Sequence, residues 1–201
     1  GKNGIIAETS RHQLSTLPNG VAPSNNELAL LLTTSGSTGN PKVVRLSKMN
    51  IASNAEAFVE AISLDRNDRG AVNLPLFYTY GLAICHMHFF TGATLLLSEK
   101  KVYDPQFYSF LVREGVTNLH GVPYVYESLD RAHFFEKIPS SVRLMTMGGG
   151  KAQPSLHDKL NRLTLDQGIG FYAMYGQTEG TCILTKVPSD QKQNEPGCIG
   201  V

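Results

Sequence analysis

Short apolar runs recur along this chain, and polar or glycine-bearing stretches separate them. The runs that read as strands are Leu28–Thr33, Lys42–Leu46, Gly70–Leu74, Thr94–Leu97, Asn118–Gly121, Arg143–Met147, Gly170–Met174 and Thr181–Lys186. Leu28–Leu32 is apolar without alternation, the pattern of a strand buried on both faces. Segments with helical spacing lie between the strands. Ser47 is placed to N-cap a helix reaching about Ile62, with Ala52, Ala55, Phe58, Val59 and Ile62 on one face. Gly81–Phe90 is apolar nearly all round, which predicts a buried helix. Asp104–Arg113 opens on Asp-Pro and stops before Gly115, while Pro123–Ala132 and Pro154–Leu163 each begin with a proline suited to a first helical turn. Alternating strand and helix predicts an α/β fold, a mostly parallel sheet flanked by helices on both faces. Residues 1–26 are polar and turn-rich and read as a lead-in with one short strand, ahead of a single domain over 27–201.

Composition narrows the class. The 201 residues suffice for one well-cored domain. Charged residues make up 17%, below the roughly 25% of an average globular protein, and the net charge is +1. No Lys/Arg run stands out, so a nucleic-acid footprint is not expected. The cysteines, Cys85, Cys182 and Cys198, form no CxxC pair and suit a reduced, cytoplasmic protein. No apolar run approaches the ~18 residues of a membrane span. The chain starts at Gly1 without an initiator Met or a signal-peptide core, which reads as an excised piece of a larger protein.

Three turns carry the chemistry. The first is Thr34-Ser35-Gly36-Ser37-Thr38-Gly39-Asn40-Pro41-Lys42. Its hydroxyls and backbone N–H groups can donate to polyphosphate oxygens, its glycines allow close approach, and Lys42 adds a point charge. It is not a Walker loop: Gly39 stands three residues before Lys42, and Val43 follows the lysine. The second turn, Tyr175-Gly176-Gln177-Thr178-Glu179, follows a strand with a ring able to stack on a base, a hydroxyl for a phosphate and a carboxylate suited to Mg²⁺. The third, Gly148-Gly149-Gly150-Lys151, leaves backbone groups uncovered to line a flat pocket. Turns at strand ends are where open α/β sheets bind ligands.

Together these motifs resemble the adenylate-forming superfamily, which includes acyl-CoA synthetases, luciferases and the adenylation domains of nonribosomal peptide synthetases. Leu31–Lys42 is similar to its phosphate-loop signature, Tyr175–Glu179 to its YGxTE motif, and Met147–Gly150 to its glycine loop. Val122-Pro123 with Tyr126 resembles its GVP segment, Leu74–Phe77 with Gly81 its LPLFHxxGL segment, and Pro196–Val201 the start of the following strand. The resemblance implies ATP-dependent activation of a carboxylic acid to an acyl adenylate, with pyrophosphate released. The acyl group then passes to CoA or to the phosphopantetheine of a carrier protein. It implies that Thr34, Ser35, Ser37, Thr38 and Lys42 grip the β- and γ-phosphates, with Gly36 and Gly39 permitting close approach. Tyr175 and Gly176 would meet the adenine side, Gly148, Gly149 and Gly150 would flank nucleotide and acyl group, and Thr178 would bind the α-phosphate. Glu179 would hold Mg²⁺, and Lys42, Thr178 and Glu179 would serve the chemical step. Tyr78, His120 and Gly149 would line the acyl pocket.

The chain departs from that pattern at Tyr78, where the family usually has histidine, which bears on acyl specificity. It also lacks the ribose-binding Asp motif and the late lysine of full members, so it reads as a core truncated at both ends and inactive alone. An aspartate that would mark an amino-acid-selecting domain is missing from Tyr78–Ala83. A non-catalytic nucleotide-binding module is the alternative from another class. His86 and His88 read as parts of a buried helix rather than a metal site, since residues two apart do not share a helical face. His157 and Asp158 read as an exposed helical pair without chemistry, and Tyr103, Phe107, Tyr108 and Phe110 as helix packing.

Overall fold

The computed structural model of the chain describes residues 6–7, 28–34, 42–188 and 200. Its main sheet has seven strands: β1 (Ile6–Ala7), β4 (Arg69–Val72), β5 (Thr94–Leu97), β6 (Asn118–Gly121), β7 (Leu144–Met147), β8 (Gly170–Gly176) and β9 (Ile183–Pro188). The order is β1-β5-β4-β6-β7-β8-β9, parallel throughout except for the antiparallel edge pair β8–β9. From β4 the chain passes to β5 on one side, then returns across β4 to β6 and continues outward. That reversal is a topological switch point, where open α/β sheets place a ligand crevice.

Among the described residues five α-helices accompany the sheet: α1 (Lys48–Ile62), α2 (Thr79–Thr91), α3 (Pro105–Arg113), α4 (Pro123–Arg131) and α5 (Pro154–Asp166). Right-handed crossovers in two directions put α2 on one face and α4 and α5 on the other. Strand β6 shows the alternation directly. Asn118 and His120 meet residues of α2 and β7, whereas a side chain at Gly121 would run into Val125 of α4. Helix α1 packs on α2 as a further layer. The core is continuous across both faces, with Ile84, Met87, Leu96, Leu111, Tyr126, Leu144 and Met145 fully enclosed. Ser47 caps α1 as expected: its hydroxyl accepts the Asn50 N–H, and Asn50 Oδ1 accepts the Ser47 N–H.

Several expectations are corrected. Leu28–Thr34 (β2) is not a buried strand of the sheet. It forms a separate antiparallel hairpin with Lys42–Ser47 (β3), in which only Leu32 and Leu46 are buried and Leu31 is 49% exposed. Burying both faces of a strand needs a layer packed on each, and among the described residues the hairpin buries one side chain per strand whatever its composition. Helix α2 starts two residues early, at Thr79, with Tyr78 in the N-cap position. Strand β8 runs on through Tyr175 and Gly176 because β9 pairs with both, across a bulge. Strand β9 starts at Ile183 rather than Thr181, whose φ of 72° is incompatible with extended pairing. Ala52 and Tyr103 are exposed rather than packed, whereas Phe107 and Phe110 are buried. Strand β1 joins the sheet edge from within the lead-in.

Candidate active site

The segments after β4 and β7 and the end of β8 enclose a cleft of about 940 Å³. Helix α2 supplies one wall from its first turn. Tyr78 Oη lies 3.5 Å from the Gly149 carbonyl oxygen. Thr79 Oγ1 lies 2.9 Å from Thr178 Oγ1, and Tyr80 Oη lies 2.6 Å from Thr146 Oγ1. Three consecutive hydroxyl side chains thus tie α2 to the glycine loop, to the turn after β8 and to β7.

The glycine loop forms the facing wall. Gly148 is buried against Met174 and Tyr80, and Gly149 and Gly150 are exposed to the cleft. Gly149 has φ 77°, and a Cβ there would collide with Tyr78 Oη. Tyr175, 45% exposed, and Gly176 border the cleft from the end of β8. At Gly176 any side chain would collide with the Cys182 carbonyl, so the bulge that turns the chain toward Thr178 requires glycine. Thr178 and Glu179 sit in a 3-10 turn, Thr178 half-buried on the cleft and Glu179 exposed.

Lys42 pairs with Thr34 at the base of the hairpin, and Ser35, Gly36, Ser37, Thr38 and Gly39 lie outside the described residues. Strand β3 packs against the Thr178–Gly180 turn. The structure therefore brings the hairpin that carries the first motif beside the second motif.

His120 corrects the expectation of a pocket-lining residue. It is 1% exposed, and its ring nitrogens lie 2.7 Å from Thr146 Oγ1 and 2.7 Å from Asn118 Oδ1. Strand alternation turns it under α2, so it reaches the cleft only through Thr146 and Tyr80. His88 is likewise enclosed, bonded to the Ile84 carbonyl and beside Asn118. Burial lowers the pKa of both rings, and the two rings also repel each other's charge at His120.

Lys151, His157 and Asp158 also line the cleft, and His157 is half-buried rather than exposed as expected. Their signal was position: they follow the glycine loop on the first turns of α5. His157 Nδ1 lies 3.2 Å from Asn161 Nδ2, and burial lowers its pKa against the opposing pull of Asp158. Burial pushes the Tyr78 phenol up and the Cys182 thiol up to about 12. Cys182 is therefore a protonated wall residue at neutral pH rather than a nucleophile.

Among the described residues no three His, Cys, Asp or Glu side chains converge as a metal site. Glu179 offers one hard oxygen ligand, which fits a Mg²⁺ ion completed by phosphate oxygens and water. No helix among the described residues is long and apolar enough to cross a membrane.

Comparison with known proteins adds a family and relatives. The family model described as AMP-binding enzyme matches residues 3–201. A 2-succinylbenzoate–CoA ligase of Bacillus cytotoxicus is 30% identical over 87% of this chain and 35% of its own length. A feruloyl-CoA synthase of an Amycolatopsis species is 29% identical over 86% of this chain and 35% of its own. Among solved structures, the o-succinylbenzoate coenzyme A synthetase of Bacillus subtilis in complex with ATP and magnesium superposes with a TM-score of 0.71 at 26% identity, covering 85% of this chain and 34% of that one. The chain thus spans about a third of the length of the curated relatives it matches.

Proposed function

Because the chain belongs to the AMP-binding enzyme family, we propose that it carries the nucleotide-facing part of a site that activates a carboxylic acid with ATP. A carboxylate oxygen attacks the α-phosphorus, the bond to the bridging oxygen breaks, and pyrophosphate leaves. The resulting acyl adenylate then passes its acyl group to a thiol, of CoA or of a carrier protein's phosphopantetheine. Relatives three times as long carry the names of CoA ligases, so the complete reaction is proposed for a protein of their length that contains these residues.

The observation that carries this reading is the convergence of Tyr175, Thr178 and the glycine loop on one cleft, with β3 packed beside Thr178. In it, the Tyr175 ring stacks on adenine and the backbone of Gly149 and Gly150 flanks the nucleotide. Thr178 donates its hydroxyl to the α-phosphate, and Lys42 with the hairpin loop holds the departing phosphates. Glu179 is the residue to hold Mg²⁺, which would neutralise charge on the phosphates. Positioning and charge stabilisation supply most of the catalysis in such displacements. Apolar walls from Met147 and Met174 beside Tyr78 and Tyr80 favour an organic acid with a sizeable apolar body. The names of the relatives, which refer to succinylbenzoate and feruloyl groups, point the same way.

The test is acid-dependent exchange of labelled pyrophosphate into ATP by a protein of the relatives' length containing this chain, across a panel of aryl and alkyl acids. Exchange is expected with at least one acid, and Thr178→Val is expected to lower it about 10²-fold, the effect of losing one donor to developing charge. Nucleotide binding without exchange for any acid replaces this reading with a non-catalytic nucleotide-binding module.

A further inference from the structure

A file of polar side chains runs through the otherwise apolar layer between α2 and the sheet, from the strand ends remote from the cleft to the cleft wall. Its hydrogen bonds can be assigned a direction one atom at a time. Asp68 is 2% exposed, and its ionised carboxylate can only accept. Thr117 Oγ1 lies 2.7 Å from Asp68 Oδ1, so the threonine's single proton goes there. The same oxygen already accepts the Arg69 N–H at 2.9 Å. Toward Asn118, 3.2 Å away, Thr117 can therefore only accept, which turns the nitrogen of the Asn118 amide toward Thr117 and its oxygen toward the histidines.

His120 Nε2 lies 2.7 Å from that oxygen and must carry the ring proton. In the neutral ring Nδ1 is then a lone pair, and Thr146 Oγ1 at 2.7 Å gives its proton to it. Thr146 has no proton left for Tyr80, so the Tyr80 phenol at 2.6 Å donates to Thr146. His88 stands beside the file. Its Nδ1–H serves the Ile84 carbonyl at 2.7 Å, so in the neutral ring the 3.2 Å approach of Nε2 to Asn118 carries no proton. Gly70 makes room for this junction, since a side chain there would collide with His88 and Asn118.

We infer that Asp68 is a remote positioning residue for the cleft: through Thr117, Asn118, His120 and Thr146 it turns the Tyr80 phenol proton away from the ligand. Tyr80 then presents a wall without a donor. A substrate carboxylate, which can only accept, gains nothing from it. The consequence for substrate rests on the acid-activating reading of the cleft, whereas the direction of the relay does not.

Two readouts separate these layers. Histidine ring ¹⁵N shifts, with His120 assigned by through-bond correlation in uniformly ¹³C,¹⁵N-labelled wild-type protein, report the ring tautomer at neutral pH. The wild-type protein is expected to show His120 as neutral Nε2–H. Thr117→Val frees the Asn118 amide to turn over and is expected to move His120 toward Nδ1–H, while Thr117→Ser keeps the wild-type pattern. With the relay reversed, Tyr80 offers its proton to the carboxylate in an unproductive position. In pyrophosphate exchange KM for the acid and kcat are then expected to fall together by about fivefold, with kcat/KM held, the factor that one hydrogen bond carries. A merely structural defect lowers kcat/KM instead.

An Nδ1–H or doubly protonated His120 in the wild-type protein overturns the relay, and this measurement needs no variant to fold. A Thr117→Val protein that keeps the wild-type tautomer overturns the role of Asp68. A tautomer that moves while both kinetic constants stay put overturns the link to the cleft. Absence of exchange in the wild-type protein sinks the proposed function and leaves the tautomer result to judge the relay.

Discussion

Gly149 combines a left-handed backbone, φ 77°, with a neighbour, Tyr78 Oη, that leaves no room for a side chain. Gly149→Ala is expected to cost about 2 kcal/mol, of which about 1 reflects the backbone and the rest the clash. In a Tyr78→Phe background the colliding oxygen is gone, and the same substitution is expected to cost about 1 kcal/mol. Urea denaturation of the four proteins measures the difference; equal costs in both backgrounds would show that Tyr78 yields freely. At this scale the sequence revealed which residue types could do chemistry, because glycine, hydroxyl and carboxylate in one turn have few bland uses. It did not reveal orientation. His120 and Thr146 are two positions whose strand alternation sends them under α2, and periodicity alone does not say which face a helix will cover. His157 was misjudged for the matching reason: its helix borders the cleft at its amino end, and no local signal marks that.

The elements joined by Asp68 give a second prediction. Arg143, just ahead of β7, bonds Asp68, just ahead of β4, through both Nε and Nη2 and also reaches the Ser63 carbonyl. Burial alone would push the Asp68 carboxyl up, but Arg143, the Asp65 N–H and the Thr117 hydroxyl together hold it below its ordinary value. A carboxyl depressed in the folded state contributes stability above its unfolded pKa, about 4, and loses it as pH falls through the folded value. Asp68→Asn is expected to cost about 2 kcal/mol at pH 7, since it removes the charge from a buried acceptor of the Arg143, Asp65 N–H and Thr117 hydrogen bonds, while the exposed Arg143 guanidinium can turn to water. That gap should shrink steadily below about pH 4. Stability curves that stay parallel down to the acid limit would remove Asp68 from the account. Element boundaries were legible where a cap or a proline declares them, as at Ser47, Asp104, Pro123 and Pro154. They were missed where tertiary pairing decides. Strand β9 extends β8 through Tyr175, and the composition of Leu28–Leu32 conceals that β2 lies outside the main sheet, paired with β3 alone among the described residues.

For the molecule as a whole, histidine sets the acid response at milder pH. His86, His88, His120 and His157 all have pKa values lowered by burial. The unfolded chain takes up these protons as pH falls below about 6.5 and the folded chain resists them, so stability declines from there downward. The urea midpoint is expected to be lower at pH 5.5 than at pH 7.5, with His120→Gln and His88→Gln variants showing a flatter profile over that interval. A midpoint independent of pH across it contradicts the buried, neutral state of these rings. The α/β class and the parallel sheet followed from alternation along the chain, whereas strand order and the switch point between β4 and β6 did not, because crossovers are settled only when helices choose faces.

The hairpin of β2 and β3 shares no backbone ladder with the seven-stranded sheet among the described residues. It is joined to the body through the Ser47–Lys48 junction and through side-chain packing on α1 and on the Thr178–Gly180 turn. The two motifs therefore belong to separate mechanical parts. Among the described residues the sheet's backbone hydrogen bonds do not extend into the hairpin, and the hairpin's contact with the cleft wall runs chiefly through the Thr178–Gly180 turn rather than through α2 or the glycine loop. Under the proposed function, substitutions in the hairpin would alter the hold on departing phosphates while α2 and the glycine loop keep the shape of the acid pocket.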